Sequence, residues 1–164
     1  MIALKQILKW TITFLLSFTT FNFFISGKIE ASIEIEASAV FVYEKVANLQ
    51  TWPNWNPWWK IDSTMTNVYS VEKNGVGANM SWIGIDGCGS LEIIEANFSK
   101  NLKNELIFEG MPPFYIVWDF EEIDNGTRIT CSFQDELPFY VHFMQLFISP
   151  VLEEGLIGFK NSFE

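Results

Sequence analysis

Thr51-Trp52-Pro53-Asn54-Trp55-Asn56-Pro57-Trp58-Trp59 gathers four of the chain's seven tryptophans into one short stretch punctuated by two prolines. Each tryptophan buries roughly 150–250 Å², so four together exceed the roughly 300–600 Å² apolar patch that a monomer ordinarily leaves exposed. Something apolar must cover them: the protein's own sheet, a greasy ligand or a bilayer. Pro53 and Pro57 lack a backbone donor and push their predecessors, Trp52 and Asn56, toward extended conformations. The expectation is a rigid aromatic corner, with no regular helix running through it.

Before the corner, Ile29 to Ala37 alternates, with Ile29, Ala31, Ile33 and Ile35 on one side and Glu30, Ser32, Glu34 and Glu36 on the other. That is the pattern of a half-buried strand. Ser38 is placed to cap a helix in which Val42, Val46 and Leu49 share a face widened by Tyr43 and Ala47. After the corner, Asn74-Gly75, Asp86-Gly87 and Asn125-Gly126 mark tight turns, and Gly110-Met111-Pro112-Pro113 marks a longer connection. These turns delimit six strands, at approximately 62–72, 76–84, 89–97, 102–109, 114–123 and 127–135.

Parity then assigns the faces. Phe114, Ile116, Trp118 and Phe120 share one side of their strand, and Ile129, Cys131 and Phe133 share one side of the next. The chain ends in a long apolar segment, Pro138 to Phe163. There Phe139, Phe143, Leu146, Phe147, Val151, Leu156 and Phe159 recur at helical spacing, with Pro150 as a kink or restart. The fold class is therefore α+β: a seven-stranded curved antiparallel sheet wrapped around a long carboxy-terminal helix, with two short helices after the first strand.

Residues 1–28 read as a separate segment ahead of a 29–164 domain. Trp10 to Gly27 is an uncharged run of 18 residues between Lys9 and Lys28. As a helix it would span about 27 Å, near the thickness of a bilayer's hydrocarbon core. Lys5 and Lys9 set its orientation by the positive-inside rule, leaving the domain on the extracytoplasmic side. A cleaved signal peptide is the rival, although Ile25-Ser26-Gly27 is a poor cleavage site. The third reading is a buried helix of the body.

Charge excludes whole classes of partner. The net charge is −10, and the first 28 residues carry only Lys5, Lys9 and Lys28, so the body holds seven basic against twenty acidic side chains, a net of −13. A phosphate backbone demands clustered Lys and Arg, and here Arg128 is the sole arginine. Nucleic acid is not a partner on this reading, and an anionic lipid surface is disfavoured for the same reason. Cys88 and Cys131 are too few for a disulfide framework and too isolated for a zinc site. They read as two buried or half-buried thiols.

The order of strand, helix, tryptophan corner, six-stranded meander and long final helix resembles the helix-grip fold of the START-like superfamily, also called SRPBCC, which includes polyketide cyclases, dehydrases and lipid-transport proteins. Ile33-Glu34-Ile35 with Ala37, then Val46, Leu49 and Trp52-Pro53-Asn54-Trp55-Asn56-Pro57-Trp58, looks like the opening segment of that family. Gly75-Val76-Gly77 before Trp82, Gly87 and Gly89 before Leu91, Gly126-Thr127, and Gly155-Leu156 with Phe159-Lys160 also match its expected positions. The likeness covers about residues 29 to 163. It implies a domain in which the last helix roofs a curved sheet over an elongated cavity.

On that arrangement the wall residues are Trp58, Trp82, Phe114, Trp118, Phe120, Cys131, Phe143, Met144 and Phe147. A wall this apolar favours a lipid, isoprenoid or aromatic ligand. The same residues can instead pack on one another and leave no space. His142, the only histidine, is a weak candidate for a general acid or base, because such a group needs an orienting partner and no carboxylate sits at an assured inward position. Cys131 lacks an activating cation and reads as an inert thiol. No metal cage, phosphate loop or cofactor motif is present in the sequence. The function expected is therefore a membrane-tethered module binding an apolar small molecule or lipid without catalysis, with a cyclase or dehydratase-like enzyme as the alternative.

Overall fold

The structure, a computed structural model, describes residues 2–25, 29–134 and 139–164, with side chains for 6–18, 29–134 and 146–164. The chain opens with α1 (Ile2–Ile25). There follow β1 (Glu30–Ile35), α2 (Ala39–Ala47), a 3-10 turn (Leu49–Asn54) and α3 (Trp58–Ile61). A six-stranded meander comes next: β2 (Thr66–Tyr69), β3 (Asn79–Gly84), β4 (Gly87–Asn97), β5 (Asn101–Phe108), β6 (Phe114–Ile123) and β7 (Gly126–Gln134). The last element is α4 (Phe139–Asn161).

All pairings are antiparallel, in the order β1-β7-β6-β5-β4-β3-β2. The first strand thus joins the last, and the path from β1 to β2 must cross the whole sheet, about 29 Å for six gaps of about 4.8 Å. The tryptophan corner lies on that crossing. Its position follows from topology: a crossover that long has to lie over one face, and burying apolar side chains against the sheet is what holds it there.

Local chemistry explains the elements. β1 alternates as its sequence demands, with Glu30, Ser32 and Glu34 exposed and Ile35 buried. Ser38 caps α2 by accepting from the Phe41 N–H at 3.4 Å, and Val42, Tyr43, Val46 and Ala47 are buried on one face. Inward parity also holds: Phe114, Ile116, Trp118 and Phe120 of β6 and Ile129 and Cys131 of β7 are buried, and Phe133 is half-buried. Arg128 on the outer face bridges Glu34 and Glu121 at 2.9 and 2.8 Å, tying β1, β7 and β6.

Three local expectations differ. Pro53 does not hold Trp52 extended: both sit inside the 3-10 turn, and the Trp52 indole N–H donates to Val46 O at 2.8 Å. Burial of the ring outweighs the steric preference of a residue before proline. Nor do β2 and β3 meet in a two-residue turn at Asn74-Gly75. β2 is only four residues long, and the connection to Asn79 folds back on β4, with Gly77 N–H donating to Ile93 O and Ile93 N–H to Ala78 O, each at 2.9 Å. Gly75 and Gly77 take positive φ there, and the register of β4 against β5 shifts at Ile93/Glu95. Finally, α4 runs unbroken through Pro150, so that proline does not restart the helix.

Every described side chain of α1, residues 6–18, is exposed, including Trp10, Phe14 and Leu16. Among the described residues no helix is long and apolar enough to cross a membrane. The second half of the Trp10–Gly27 run lies outside the described side chains.

Candidate functional site

Between the corner, the concave face of the sheet and α4 lies a cavity of about 290 Å³. The corner contributes Trp52, Trp55, Trp58 and Trp59. The sheet contributes Met80, Trp82, Leu91, Leu106, Phe108, Phe114, Ile116, Trp118, Cys131 and Phe133, and α4 closes it with Ile148, Val151, Leu152, Gly155 and Leu156. The four corner tryptophans divide their labour. Trp52 and Trp55 are buried, each worth about 4–6 kcal/mol of apolar burial as an upper bound. Trp58 is 46 % exposed and sits with Ile61 and Met111 where the cavity opens.

The wall is an aromatic lattice. Trp52 and Trp55 meet at 5.0 Å between centroids, both stand edge-on to Trp118 at 5.7 and 6.3 Å, and Trp55 meets Phe159 of α4 at 4.9 Å. Such pairs add to burial through ring electrostatics and fix the rings' angles. Across the sheet, Trp82 packs edge-on to Phe108 at 5.7 Å and lies over its cross-strand partner Gly89, where any side chain would collide with the indole. Glycine in β4 is therefore a space reserved for Trp82.

Two contacts pin the roof. A Cβ at Gly158 would lie 2.5 Å from the Trp55 carbonyl oxygen, so the absence of a side chain lets α4 lie directly on the corner's backbone. At the end of α4, Lys45 of α2 donates to the Ser162 carbonyl and places its ammonium 4.1 Å from the Phe163 ring centroid.

At the opposite end, the polar group that matters is Asp62, 5 % exposed. Its carboxylate accepts from the Thr64 hydroxyl at 2.6 Å, the Thr64 N–H at 2.8 Å and the Ile85 N–H at 2.8 Å. Those bonds, the Thr64 hydroxyl foremost, hold it below the ordinary carboxylate range. Asp62 thereby staples the end of the corner to the β3–β4 hairpin tip. The sequence assures no carboxylate of an inward position, and the structure supplies one in Asp62. The sequence pattern starts a strand at residue 62, whereas an Asx turn with Thr64 folds Asp62 under the hairpin.

Of the wall residues expected from the sequence, Trp58, Trp82, Phe114, Trp118 and Cys131 line the cavity. Phe120 is buried but packs edge-on to Tyr43 at 5.4 Å, away from the space. Phe147 is exposed, a correction: the face of α4 turned inward is Ile148, Val151, Leu152, Leu156 and Phe159, and Phe147 is rotated off it by one residue. The side chains of His142, Phe143 and Met144 lie outside the described residues. Sequence reasoning missed Trp59, Met80, Leu106 and Leu152; strand parity was an available signal for Met80, two residues from Trp82, and for Leu106.

The cavity's chemistry is apolar. Cys131 is fully enclosed, and burial drives its thiol far above the ordinary range, so it is neutral. Cys88, half-buried and outside the wall, donates to Glu109 at 3.0 Å and is likewise raised. The two thiols are separate. Among the described residues no group of His, Cys, Asp and Glu is arranged to hold a metal ion. A more open depression lined by Glu36–Ala39, Glu122, Ile123, Asn125 and Gly126 shares no residue with this wall.

No family model matches the chain, and no curated protein does. Solved structures do. A protein from Rhodobacter sphaeroides superposes with a TM-score of 0.64 at 11 % identity, over 83 % of this chain and 91 % of its own. CalU16 from Micromonospora echinospora gives 0.60 at 12 %, over 84 % and 74 %. Protein CV1439 from Chromobacterium violaceum gives 0.57 at 12 %, over 82 % and 95 %. At these identities the likeness is one of fold: the chain has the helix-grip fold, with its curved antiparallel sheet closed by a carboxy-terminal helix.

Proposed function

We propose that this is a START-like domain that holds an apolar small molecule or lipid between sheet and α4, without catalysis. One observation carries the reading. A cavity of about 290 Å³ persists inside a wall built from large aromatics, where close packing is the default and empty space forfeits contacts on every side. That volume is near the lower bound of ordinary ligand pockets, about 300 Å³. The mouth supports it too, since Trp58, Ile61 and Met111 present apolar surface where a greasy guest would enter.

Tethering is the second half of the proposal. A helix whose described side chains are exposed all round, with Ile7, Leu8, Trp10, Ile12, Phe14 and Leu15 among them, asks for an apolar solvent. With Lys5 and Lys9 ahead of the run, α1 would sit in a bilayer and hold the acidic domain at the extracytoplasmic face. Cleavage as a signal would release the same domain in soluble form.

The test is extraction of the native protein in mild detergent, followed by mass spectrometry of what travels with it. One apolar molecule per chain is expected, and it should be lost from a Leu152→Trp variant that fills the space. Equal recovery from both proteins, or none from either, contradicts the reading.

A further inference from the structure

Strand pairing gathers the mouth of the cavity at one end of the sheet. Glu30 pairs with Ser132, Tyr115 with Gln134, Leu106 with Phe114, Gly89 with Phe108 and Gly84 with Gly87. The start of β1, the β5–β6 connection and the β3–β4 turn therefore share that end, and the lining residues Met111 and Asp86 lie in those two connections. Ile61 reaches the same end, because its neighbour Asp62 accepts from the Ile85 N–H of the β3–β4 turn.

Turns ordinarily carry glycine and polar residues. Here Ile85 stands in a turn 81 % exposed, with Ile61 at 59 % and Trp58 and Met111 nearly half exposed. Ile85 borders the mouth without belonging to the cavity wall, so a guest inside does nothing to cover it. Val71 and Val76, in the β2–β3 connection at the opposite end, are exposed too, but they flank Glu72, Lys73 and Asn74 and lie outside the wall.

What covers the rim follows from where the chain enters the domain. The Phe133 N–H donates to Ile29 O at 2.9 Å, which fixes residue 29 at the mouth end. α1 ends at Ile25 and β1 begins at Glu30, a reach of at most about 18 Å of extended chain. A bilayer holding α1 thus lies within one short span of the end where Ile85 and Met111 occupy the turns. Trp58 suits that place, since an indole settles at a membrane–water interface.

We propose that the rim of Trp58, Ile61, Ile85 and Met111 dips into the bilayer that holds α1, so that the cavity opens onto lipid and takes its guest from the membrane without passage through water. The inference rests on the tether and the ligand cavity proposed above, and it names the surface the mouth meets. Apolar burial drives the contact, because Asp86 and Glu109 at this end offset Lys60 and leave no basic patch for anionic headgroups.

The full chain is reconstituted in phosphatidylcholine vesicles that include a phosphatidylcholine with a photoactivated diazirine on one acyl chain, and the adducts are mapped by mass spectrometry. Adducts are expected on α1 and across the rim, Ile85 included, with none on Val71 or Val76. Ile85 decides, since a lipid held inside the cavity would mark wall residues such as Leu106 and Leu152 instead. Rim adducts should persist in about 1 M salt, where the Debye length is about 3 Å. Ile85→Gln with Met111→Gln, at exposed positions, should cut labelling of Trp58 and Ile61 about fivefold and leave that of α1 unchanged. Adducts on α1 with Ile85 bare overturn the docking and leave the tether standing. A bare α1 overturns the tether, and this inference falls with it. Equal labelling of Val71 and Ile85, or loss of the rim adducts in salt, overturns it as well.

Discussion

Gly158 of α4 lies so close to Trp55 that a Cβ on it would stand 2.5 Å from the Trp55 carbonyl oxygen. The roof of the cavity is thus seated on the backbone of the corner and held by a residue with no side chain. Gly158→Ala should force α4 away and cost about 1–3 kcal/mol, as overpacking does in a rigid core. Gly155→Ala, whose Cβ would meet only the Pro57 ring, Cδ at 3.4 Å and Cγ at 3.9 Å, should cost much less. Urea midpoints of the two variants provide the check, and equal midpoints would show that the roof does not rest there.

Asp62 gives the domain an acid-sensitive clasp. Its folded pKa is depressed, chiefly by the Thr64 hydroxyl, so its contribution is fully present above the unfolded value, about 3.9, and is lost as pH falls through the lower folded value. The window is therefore below about pH 4. Asp62→Asn should lower the urea midpoint at pH 7, because an amide NH₂ turned toward Thr64 or Ile85 meets a donor. The gap to wild type should narrow at pH 3. A gap that is unchanged between the two pH values would remove Asp62 from this account.

Thiol accessibility separates the two cysteines. Cys131 is enclosed and neutral, and Cys88 is half-buried with its proton engaged by Glu109. An aromatic disulfide reagent at pH 8 should label Cys88 slowly and Cys131 only on unfolding. Mass mapping of the first labelled peptide decides between them. Early labelling of Cys131 would mean that the cavity opens readily to polar solutes.

How much of this was legible beforehand depended on periodicity. Strands that bury one face announce it, so Phe114 to Phe120 and Ile129 to Phe133 gave their parity away. The final helix did not. It is apolar on nearly every side, so spacing alone set Phe147 and Leu156 on one stripe, whereas docking against the corner turns Leu152 and Gly155 inward and leaves Phe147 exposed. Asp62 was illegible for another reason. Its burial comes from a turn that closes onto a hairpin tip more than twenty residues away, a contact no local pattern records. The proline rule misjudged Trp52 because tertiary burial of its ring overrode a steric preference of smaller size.

The central claim, that the space beneath α4 accepts an apolar guest, is tested most directly by soaking crystals with 1-iodonaphthalene and locating the iodine by anomalous scattering. The account predicts a peak inside the cavity, in contact with Trp82, Leu106 and Leu152, with the backbone of α4 unmoved. A closed space with rings collapsed into it, or iodine found only on the outer surface, would contradict it.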